Sequence, residues 1–398
     1  MQRKKILWLV SWYPNRNDPF DGDFIQRHAK AACIDHDVHV IFVGSTPLEK
    51  EKEEEFRYST GLTEQLIYFR EKKSWIGRIT KQWTWGRLFQ QAIEKYIQRN
   101  GLPHLIHVHV PWKAGLPALW AKRKFRMPFV VTEHWGLYNE AVEDNFWSRP
   151  RHEQMLLKKI FGQAAAFISE SRFLAEGVKK VSGRNCDALI PNVVDTTLFN
   201  PKQEKYSRFS FVHVSNMVPL KNVEGIIDAF QKFYRQGNED AQLILIGNRN
   251  DDHKAVASNL GLLNQAIFFR GEIPYADVAA EMQRCHCFIL NSTMENSPCV
   301  IGEALCAGLP VIATEVGGVP ELVDASNSIL IPAGNPEALV TAMSGMRKRY
   351  SGFDLAGMAA SAAERFGYSA VARQFGELYA GIGSRDYHSG HERLKGSA

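Results

Sequence analysis

Short apolar runs alternate with amphipathic helical patterns along almost the whole chain, and this alternation restricts the fold more than any other feature. The runs are rich in valine, isoleucine, leucine and phenylalanine, and they predict strands at residues 6–11, 38–43, 66–69, 105–110, 129–132, 165–169, 188–190, 209–214, 242–247, 267–270, 287–291, 311–313 and 328–331. Continuous apolar strands separated by helices are typical of parallel sheets that are covered on both faces. The pattern therefore predicts a doubly wound α/β protein, in which ligands bind beyond the carboxyl ends of the strands.

The pattern restarts after residue 201, which indicates two domains. A polar segment that ends at Arg208 separates the two halves, and a chain of 398 residues is long enough for two domains of roughly 150 residues or more. We predict a first domain over residues 1–203, a second over 204–365 and a disordered tail over 384–398. The acidic run 51–55 is interpreted as a solvated loop or helix end.

Composition excludes several classes of protein. With 45% hydrophobic and 23% charged residues, the chain is neither disordered nor fibrous. No apolar run approaches the ~18 residues of a membrane-spanning helix, and the first apolar run does not lead into a signal-peptide cleavage site, so we expect a cytoplasmic protein. The cysteines are scattered without the paired spacing of a metal site, which favours buried, reduced thiols.

Positive charge is concentrated in the first half of the chain. Residues 1–200 carry 30 lysines and arginines against 22 acidic residues, whereas residues 201–398 carry 18 against 21. Basic residues are mixed with tryptophans from Arg70 to Arg99, and a second basic cluster runs from Lys122 to Arg126. Such segments suit the surface of an anionic bilayer, and the alternative is a solvated helix whose tryptophans face the core. No motif that reads nucleic acid accompanies them, so we expect no nucleic-acid partner.

The strongest candidate for a binding site is a loop followed by a short helix. Ser297 can cap this helix, and Pro298 suits its first turn. Glu295 then lies in the loop and Glu303 on the helix, on either side of an anion site formed by the backbone amides of residues 297–300. Two carboxylates that flank an anion site could hold a nucleotide sugar by its hydroxyl groups and its pyrophosphate.

Glu295 and Glu303, with seven residues between them, resemble the signature of the retaining glycosyltransferases of family 4. Other blocks resemble the family in order and spacing, and they are residues 12–14, 21–24, 132–134, 191–195, 199–201, 215–222 and 317–321. The resemblance covers residues 5–380 and is of the polysaccharide or glycolipid type. It implies the GT-B fold, in which two Rossmann-like domains face each other across a cleft.

The resemblance also implies an activity. A sugar moves from a nucleoside-diphosphate sugar, bound by the second domain, to a hydroxyl of a saccharide or lipid-linked saccharide, bound by the first. The anomeric configuration is retained, and neither a metal nor another cofactor is expected. A C-terminal helix over residues 366–383 would cross back to the first domain. Together with the basic segments, a lipid-linked acceptor predicts peripheral attachment to the inner face of the cell membrane.

Roles carry over at individual positions. Lys221 is similar to the lysine that neutralises the donor pyrophosphate, Glu295 to the carboxylate on the donor sugar, and Glu303 to the ribose ligand. His134 is similar to the histidine near the anomeric centre, so we take His134, Glu295 and Lys221 as catalytic. The residues predicted to contact the donor are Gly22, Asn216, Lys221, Arg270, Gly271, Glu295, Asn296, Ser297, Pro298, Val300 and Glu303.

One position departs from the family pattern. Asn216 stands where relatives usually have an arginine, and an amide brings no charge to the pyrophosphate. Either Lys221 suffices, or Arg27, Arg249 or Arg270 supplies a second cation. The alternatives to an active transferase are a catalytically weak family member that binds nucleotide or glycan, and a GT-B nucleotide-sugar epimerase.

Overall fold

The computed structural model describes residues 3–71, 75–140, 142, 144–248 and 250–392. The chain divides into unit 1, formed by Met1–Pro191 and Tyr368–Ala398, and unit 2, formed by Asn192–Gly367. Each unit has a sheet covered by helices, and every predicted strand is present.

The first part of unit 1 is an alternation of strands and helices. Its elements are β1 (Lys5–Val10), α1 (Asp23–Ala32), β2 (Asp37–Thr46), β3 (Lys52–Ser59), β4 (Leu62–Arg70), α2 (Trp75–Asn100), β5 (Leu105–His109), α3 (Pro111–Phe125), β6 (Phe129–Glu133), α4 (Arg151–Gln163), β7 (Ala166–Ser169), α5 (Arg172–Ser182) and β8 (Ala188–Leu189). The sheet order is β3-β4-β2-β1-β5-β6-β7-β8, and the neighbouring strands are parallel except for β3 and β4. Phe89, Phe129 and Phe161 are buried in its core.

The acidic run 51–55 lies mostly in a strand, so its interpretation as a loop or helix end was wrong. Strand β3 pairs antiparallel with β4, and Gly61 makes the tight turn between them with φ +74°. An edge strand can carry charge because one of its sides faces solvent. The acidic side chains also find cations nearby, since Glu53 accepts a hydrogen bond from Arg16 at 2.7 Å and Glu55 one from Arg57 at 2.7 Å.

Unit 2 repeats the same construction. Its elements are β9 (Phe209–Val214), α6 (Val223–Arg235), β10 (Ala241–Ile246), α7 (Asn250–Asn259), β11 (Ile267–Gly271), α8 (Tyr275–Arg284), β12 (Cys287–Leu290), α9 (Cys299–Cys306), β13 (Val311–Thr314), β14 (Ser328–Ile331), α10 (Pro336–Arg349) and α11 (Leu355–Phe366). The sheet order is β11-β10-β9-β12-β13-β14, with parallel pairing between the neighbours. Alternate residues enter opposite cores, Val212 and Phe288 on one face, Phe211 and Ile289 on the other.

The units divide at residue 191, whereas the sequence analysis placed the boundary at 203. The segment after Pro191 packs on unit 2, because the Val194 amide donates to the Phe366 carbonyl at 2.9 Å and the Asn192 side chain donates to the Ser297 carbonyl at 2.9 Å. Phe199 is 1% exposed in the core of unit 2. This hydrophobic anchor explains why the polar residues that follow do not form the boundary.

The last helix, α12 (Tyr368–Glu392), belongs to unit 1. Lys4 donates to the Tyr379 carbonyl at 2.8 Å, and the Tyr379 hydroxyl is hydrogen bonded to His107 Nδ1 at 2.7 Å. The helix begins two residues after the start of the predicted span 366–383, and it extends into the predicted tail. Residues 393–398 of that tail lie outside the described residues.

Candidate functional site

Lys221 and Glu295 meet at the carboxyl ends of the central strands of unit 2. The Lys221 ammonium lies 2.6 Å from Glu295 Oε1, and the Ser292 hydroxyl donates to the same oxygen at 2.6 Å. The side chains of Lys221 and Glu295 are 22% and 10% exposed. The structure therefore brings together two of the three residues predicted to be catalytic, one of them a partly desolvated cation.

The loop after β13 fixes the backbone of Glu295. Gly317 has φ +53°, and a Cβ atom there would lie 1.8 Å from the Glu295 carbonyl oxygen. The Gly318 amide donates to that carbonyl at 3.2 Å. Only glycine permits both the left-handed backbone and this close approach. The glycine pair therefore serves to brace the Glu295 loop.

The loop after β9 carries Lys221 and is held by a buried histidine. Ser215 Oγ is hydrogen bonded to His213 Nε2 at 2.7 Å and accepts from the Met217 amide at 3.0 Å. Burial lowers the pKa of His213 to about 4, so the ring is neutral at pH 7. The Thr293 amide donates to the Leu220 carbonyl at 2.8 Å and ties this loop to the Glu295 loop.

Helix α9 begins one residue later than predicted. Pro298 is the N-cap and Cys299 the first helical residue, so the prediction that Ser297 caps the helix was wrong. Ser297 is buried instead, and its carbonyl accepts from Asn192. Proline has no N–H, so the predicted anion site at residues 297–300 loses one donor. The site then consists of first-turn amides from residue 299 onward. Asn296 and Val300, on either side of this start, are partly exposed.

Glu303 lies on α9 and is 3% exposed. The Tyr275 hydroxyl, at the start of α8, donates to Glu303 Oε1 at 2.7 Å. Tyr275 was not predicted as a site residue, because nothing in the local sequence connects it to a residue 28 positions away. Glu303 thus has a neutral hydroxyl partner, whereas Glu295 has an ammonium group.

The candidates for a second cation have other partners. Arg270, at the end of β11, donates to Glu281 at 3.2 Å, and Arg27 pairs with Asp23 at 2.6 Å within unit 1. Arg249 lies outside the described residues. Asn216 is exposed. Gly271 has φ +73°, and its carbonyl accepts from the amide of Gly247, which keeps the ends of β10 and β11 together.

His134 is buried in unit 1 with both ring nitrogens hydrogen bonded. Nδ1 lies 3.1 Å from Glu170 Oε2, and Nε2 lies 3.0 Å from His109 Nδ1. Burial lowers the pKa of His134 to about 3, so the imidazole is neutral. A carboxylate only accepts, so Glu170 assigns the proton of His134 to Nδ1, and His109 then donates to Nε2. In this structure the His134 ring is directed at protein partners rather than at solvent.

His134 belongs to a cluster of buried histidines that was not predicted from the sequence. His28, His107 and His109 are buried beside it, and burial lowers the pKa of each ring. His107 and His109 alternate on one face of β5, which was the available sequence signal. Both side chains are 0% exposed, which is consistent with a packing role.

Two further features of unit 1 concern predicted residues. A Cβ atom at Gly22 would lie 2.6 Å from the backbone of Trp12, and φ is +61°, so this glycine is needed by the loop's own packing. Beside His134, Glu133 accepts from the Tyr138 hydroxyl at 2.6 Å. Burial raises the pKa of Glu133 to about 7, although its three hydrogen-bond donors oppose that shift.

The described residues contain no group of three or more histidine, cysteine or acidic side chains arranged to hold a metal ion. Cys285 and Cys287 are buried, and burial raises the pKa of both thiols. Within the described part of the chain, none of the helices combines the length and apolar character that crossing a bilayer requires.

Two protein-family models match adjoining parts of the chain. Residues 25–198 match the model of "Glycosyltransferase Family 4", and residues 195–348 match that of "Glycosyl transferases group 1". A putative teichuronic acid biosynthesis glycosyltransferase, TuaC of Bacillus subtilis, is 24% identical over 85% of this chain and 88% of its own length.

Solved structures of other proteins superpose on almost the whole chain. Sucrose-phosphate synthase from Thermosynechococcus elongatus superposes with a TM-score of 0.74 at 19% identity, over 96% of this chain and 100% of that one. Anabaena HepE in complex with UDP-glucose superposes with a TM-score of 0.67 at 20% identity, over 95% of this chain and 100% of its own. Together with the two matched models, these results show that the chain belongs to glycosyltransferase family 4 and has the GT-B fold.

Proposed function

We propose that this protein transfers a hexosyl group, with retention of configuration, from a nucleoside-diphosphate sugar to a hydroxyl of a saccharide or lipid-linked saccharide acceptor. The pathway class we propose is the synthesis of a cell-surface polysaccharide or glycolipid. The observation that carries the proposal is the contact between Lys221 and Glu295, in a loop that Gly317 holds in place at the carboxyl ends of the unit 2 sheet.

Unit 2 would bind the donor. The Lys221 ammonium would neutralise the diphosphate as it leaves, and the first-turn amides of α9 would donate to its oxygens. Glu295 would accept from hydroxyls of the sugar, and Glu303 from the ribose. Placing fixed positive charge at a developing anion is worth about 3 kcal/mol or more per donor in comparable sites.

Retention and metal independence are parts of the same proposal. A lysine that supplies the charge at the diphosphate performs the electrostatic work that a divalent cation performs elsewhere. The departing phosphate can accept the acceptor's proton if both oxygens react on one face of the sugar, so no protein nucleophile is required. Analysis of the product anomer, and turnover in the presence of EDTA, test these two features separately.

Transfer assays test the donor site directly. Thermal-shift screening with UDP, GDP and ADP selects the base, and UDP-glucose is the first donor to try because HepE was crystallised with it. Glu295→Ala is expected to abolish transfer. Activity that survives this change contradicts the assigned site, and donor epimerisation without acceptor would support an epimerase instead. Nucleotide binding without any turnover would support the catalytically weak alternative.

Unit 1 would bind the acceptor. TuaC is named for teichuronic acid biosynthesis, which supports a polymeric or lipid-linked saccharide as the acceptor class. The buried state of His134 limits its proposed role, because contact with a sugar requires the ring to leave Glu170 or His109. His134→Ala is expected to lower kcat more than donor affinity, and equal loss of both contradicts a role near the reacting atoms.

We further propose a cytoplasmic location with peripheral attachment to anionic membrane. Trp83 on α2 is 80% exposed, whereas the Trp85 indole donates inward to the Val43 carbonyl at 2.9 Å. Several nearby cations are already paired, as Lys81 is with Glu71 and Lys124 with Glu94. The attachment would therefore depend on the exposed indole as much as on charge.

Co-sedimentation with phosphatidylglycerol vesicles at low salt tests the attachment. Trp83→Ala is expected to reduce the bound fraction several-fold. The matched control is Trp147→Ala, which removes a 44% exposed tryptophan elsewhere in unit 1. Equal binding of both variants and the wild type, or no sedimentation of the wild type, contradicts the proposal.

A further inference from the structure

The carboxylate of Glu303 is oriented by a tyrosine from another helix. The Tyr275 hydroxyl donates to Oε1 at 2.7 Å, and Glu303 is 3% exposed. A buried carboxylate without donors is costly, and a hydrogen bond to a charged group is worth about 1.5–3 kcal/mol. The contact therefore both stabilises the charge and selects one orientation of the carboxylate plane.

The tyrosine ring packs against a buried phenylalanine. It stands at the first position of α8, directly after Pro274, and its ring centroid lies 5.0 Å from that of Phe199 at an interplanar angle of 57°. Phe199 is 1% exposed, in the segment that anchors the start of unit 2 to its core. This aromatic contact favours one position of the ring, and the position of the ring sets the direction in which its hydroxyl donates.

The helix that carries Glu303 is also fixed on its other side. A Cβ atom at Gly302 would lie 3.1 Å from the Val194 side chain and 3.5 Å from the Phe366 ring, so α9 packs closely on both. Backbone and side chain of Glu303 are thus held by separate contacts. A carboxylate held in this way is preorganised to accept from two adjacent hydroxyl groups of a ligand.

We propose that Tyr275 is a positioning residue for the donor ribose and sets the preference of this protein for ribonucleotides over 2′-deoxyribonucleotides. The inference rests on the proposed role of Glu303 as ribose ligand. Tyr275 directs Oε1 toward itself and so presents the carboxylate edge to the 2′- and 3′-hydroxyls. Without the tyrosine hydroxyl, the carboxylate loses one of the contacts that orient it, and its hydrogen bond with the 2′-hydroxyl weakens.

The test compares matched nucleotides on the full-length protein. Affinities for UDP and dUDP, GDP and dGDP, and ADP and dADP are measured by calorimetry for the wild type and for Tyr275→Phe, which removes only the hydroxyl. The wild type is expected to bind the ribonucleotide of its preferred base about tenfold tighter than the deoxy form, the size of one well-made hydrogen bond. In Tyr275→Phe this ratio should fall to about threefold or less, because the ribonucleotide loses more affinity than the deoxy form.

The control is Tyr234→Phe, which removes the hydroxyl of a partly exposed tyrosine on α6 in the same unit. It is expected to leave the ratio unchanged. A loss of affinity for both nucleotides by the same factor in Tyr275→Phe indicates a packing role and overturns the inference, as does an unchanged ratio.

Glu303→Gln distinguishes a failure of the proposed ribose site from a failure of the proposed role of Tyr275. If Glu303→Gln removes the ribose preference but Tyr275→Phe keeps it, the role of Glu303 stands and the inference about Tyr275 is wrong. If Glu303→Gln leaves every affinity unchanged, the proposed ribose site itself is wrong, and the inference falls with it.

Discussion

Glu295→Gln is expected to change nucleotide binding and sugar transfer in opposite directions. Glu295 Oε1 lies 2.6 Å from the Lys221 ammonium. An incoming diphosphate must compete for that ammonium, and its negative charge is also repelled by the carboxylate. A neutral amide removes both obstacles, so a nucleoside diphosphate without sugar should bind more tightly. Transfer should fail because the carboxylate no longer holds the sugar.

The size of the expected gain in nucleotide affinity follows from the exposure of the Lys221–Glu295 pair. A hydrogen bond to a charged group contributes about 1.5–3 kcal/mol, and the lower end applies because the Lys221 side chain is 22% exposed. About 1.4 kcal/mol corresponds to a factor of ten, so the nucleoside diphosphate is expected to bind about tenfold more tightly. Loss of an interaction that forms at the reacting sugar lowers kcat by about a hundredfold or more.

Calorimetry with the preferred nucleoside diphosphate and a transfer assay measure the two effects. The control is Glu337→Gln, which breaks a 2.6 Å pair with Lys232 on the surface of the same unit and should change neither quantity. Unchanged or weaker nucleotide binding by Glu295→Gln refutes the competition argument. Tighter binding with full transfer activity refutes the role of Glu295 in holding the sugar.

Three further changes test single contacts. Gly317→Ala adds a Cβ atom 1.8 Å from the Glu295 carbonyl oxygen, so we expect a lower melting temperature and at least tenfold weaker donor binding; the control is Gly352→Ala, where no atom lies within 4 Å. Glu133 has a folded pKa of about 7 against an ordinary 4.5, so its charge destabilises the fold above pH 7 and stability is regained as the pH falls toward 4.5. Glu133→Gln removes this pH dependence. The melting temperature of the variant minus that of the wild type should therefore increase from pH 5 to pH 8, by the equivalent of about 3 kcal/mol at most. A difference that stays constant with pH would contradict the raised pKa of Glu133. Asn216→Arg adds a cation at the position where the family resemblance implies one, and we expect kcat to rise about tenfold; an unchanged kcat would indicate that Lys221 alone suffices.

Most of the fold was predictable because burial on both faces of a parallel sheet leaves a local signature. Every apolar run became a strand, and blocks such as residues 12–14, 132–134 and 215–222 lie at the carboxyl ends of strands, where ligands bind in such sheets. Strand β3 escaped because an edge strand with one solvent-facing side has no continuous apolar run. The boundary was misplaced because Phe199 and Val194 anchor polar neighbours to unit 2, and anchoring depends on contacts rather than on composition.

Some features of the site likewise follow from the local sequence, and others depend on long-range contacts. Residue types and spacing along the chain were enough to identify the family and to propose helix α9, Lys221, Glu295 and Glu303 as a donor site. Folding alone brought Lys221 onto Glu295, separated by 74 residues, and gave Glu303 its tyrosine partner. It also buried His134 between Glu170 and another histidine. Periodicity and capping act over a few residues and can be read from a linear chain, whereas the partner of a buried charge is set by whichever distant group packing brings within hydrogen-bonding distance.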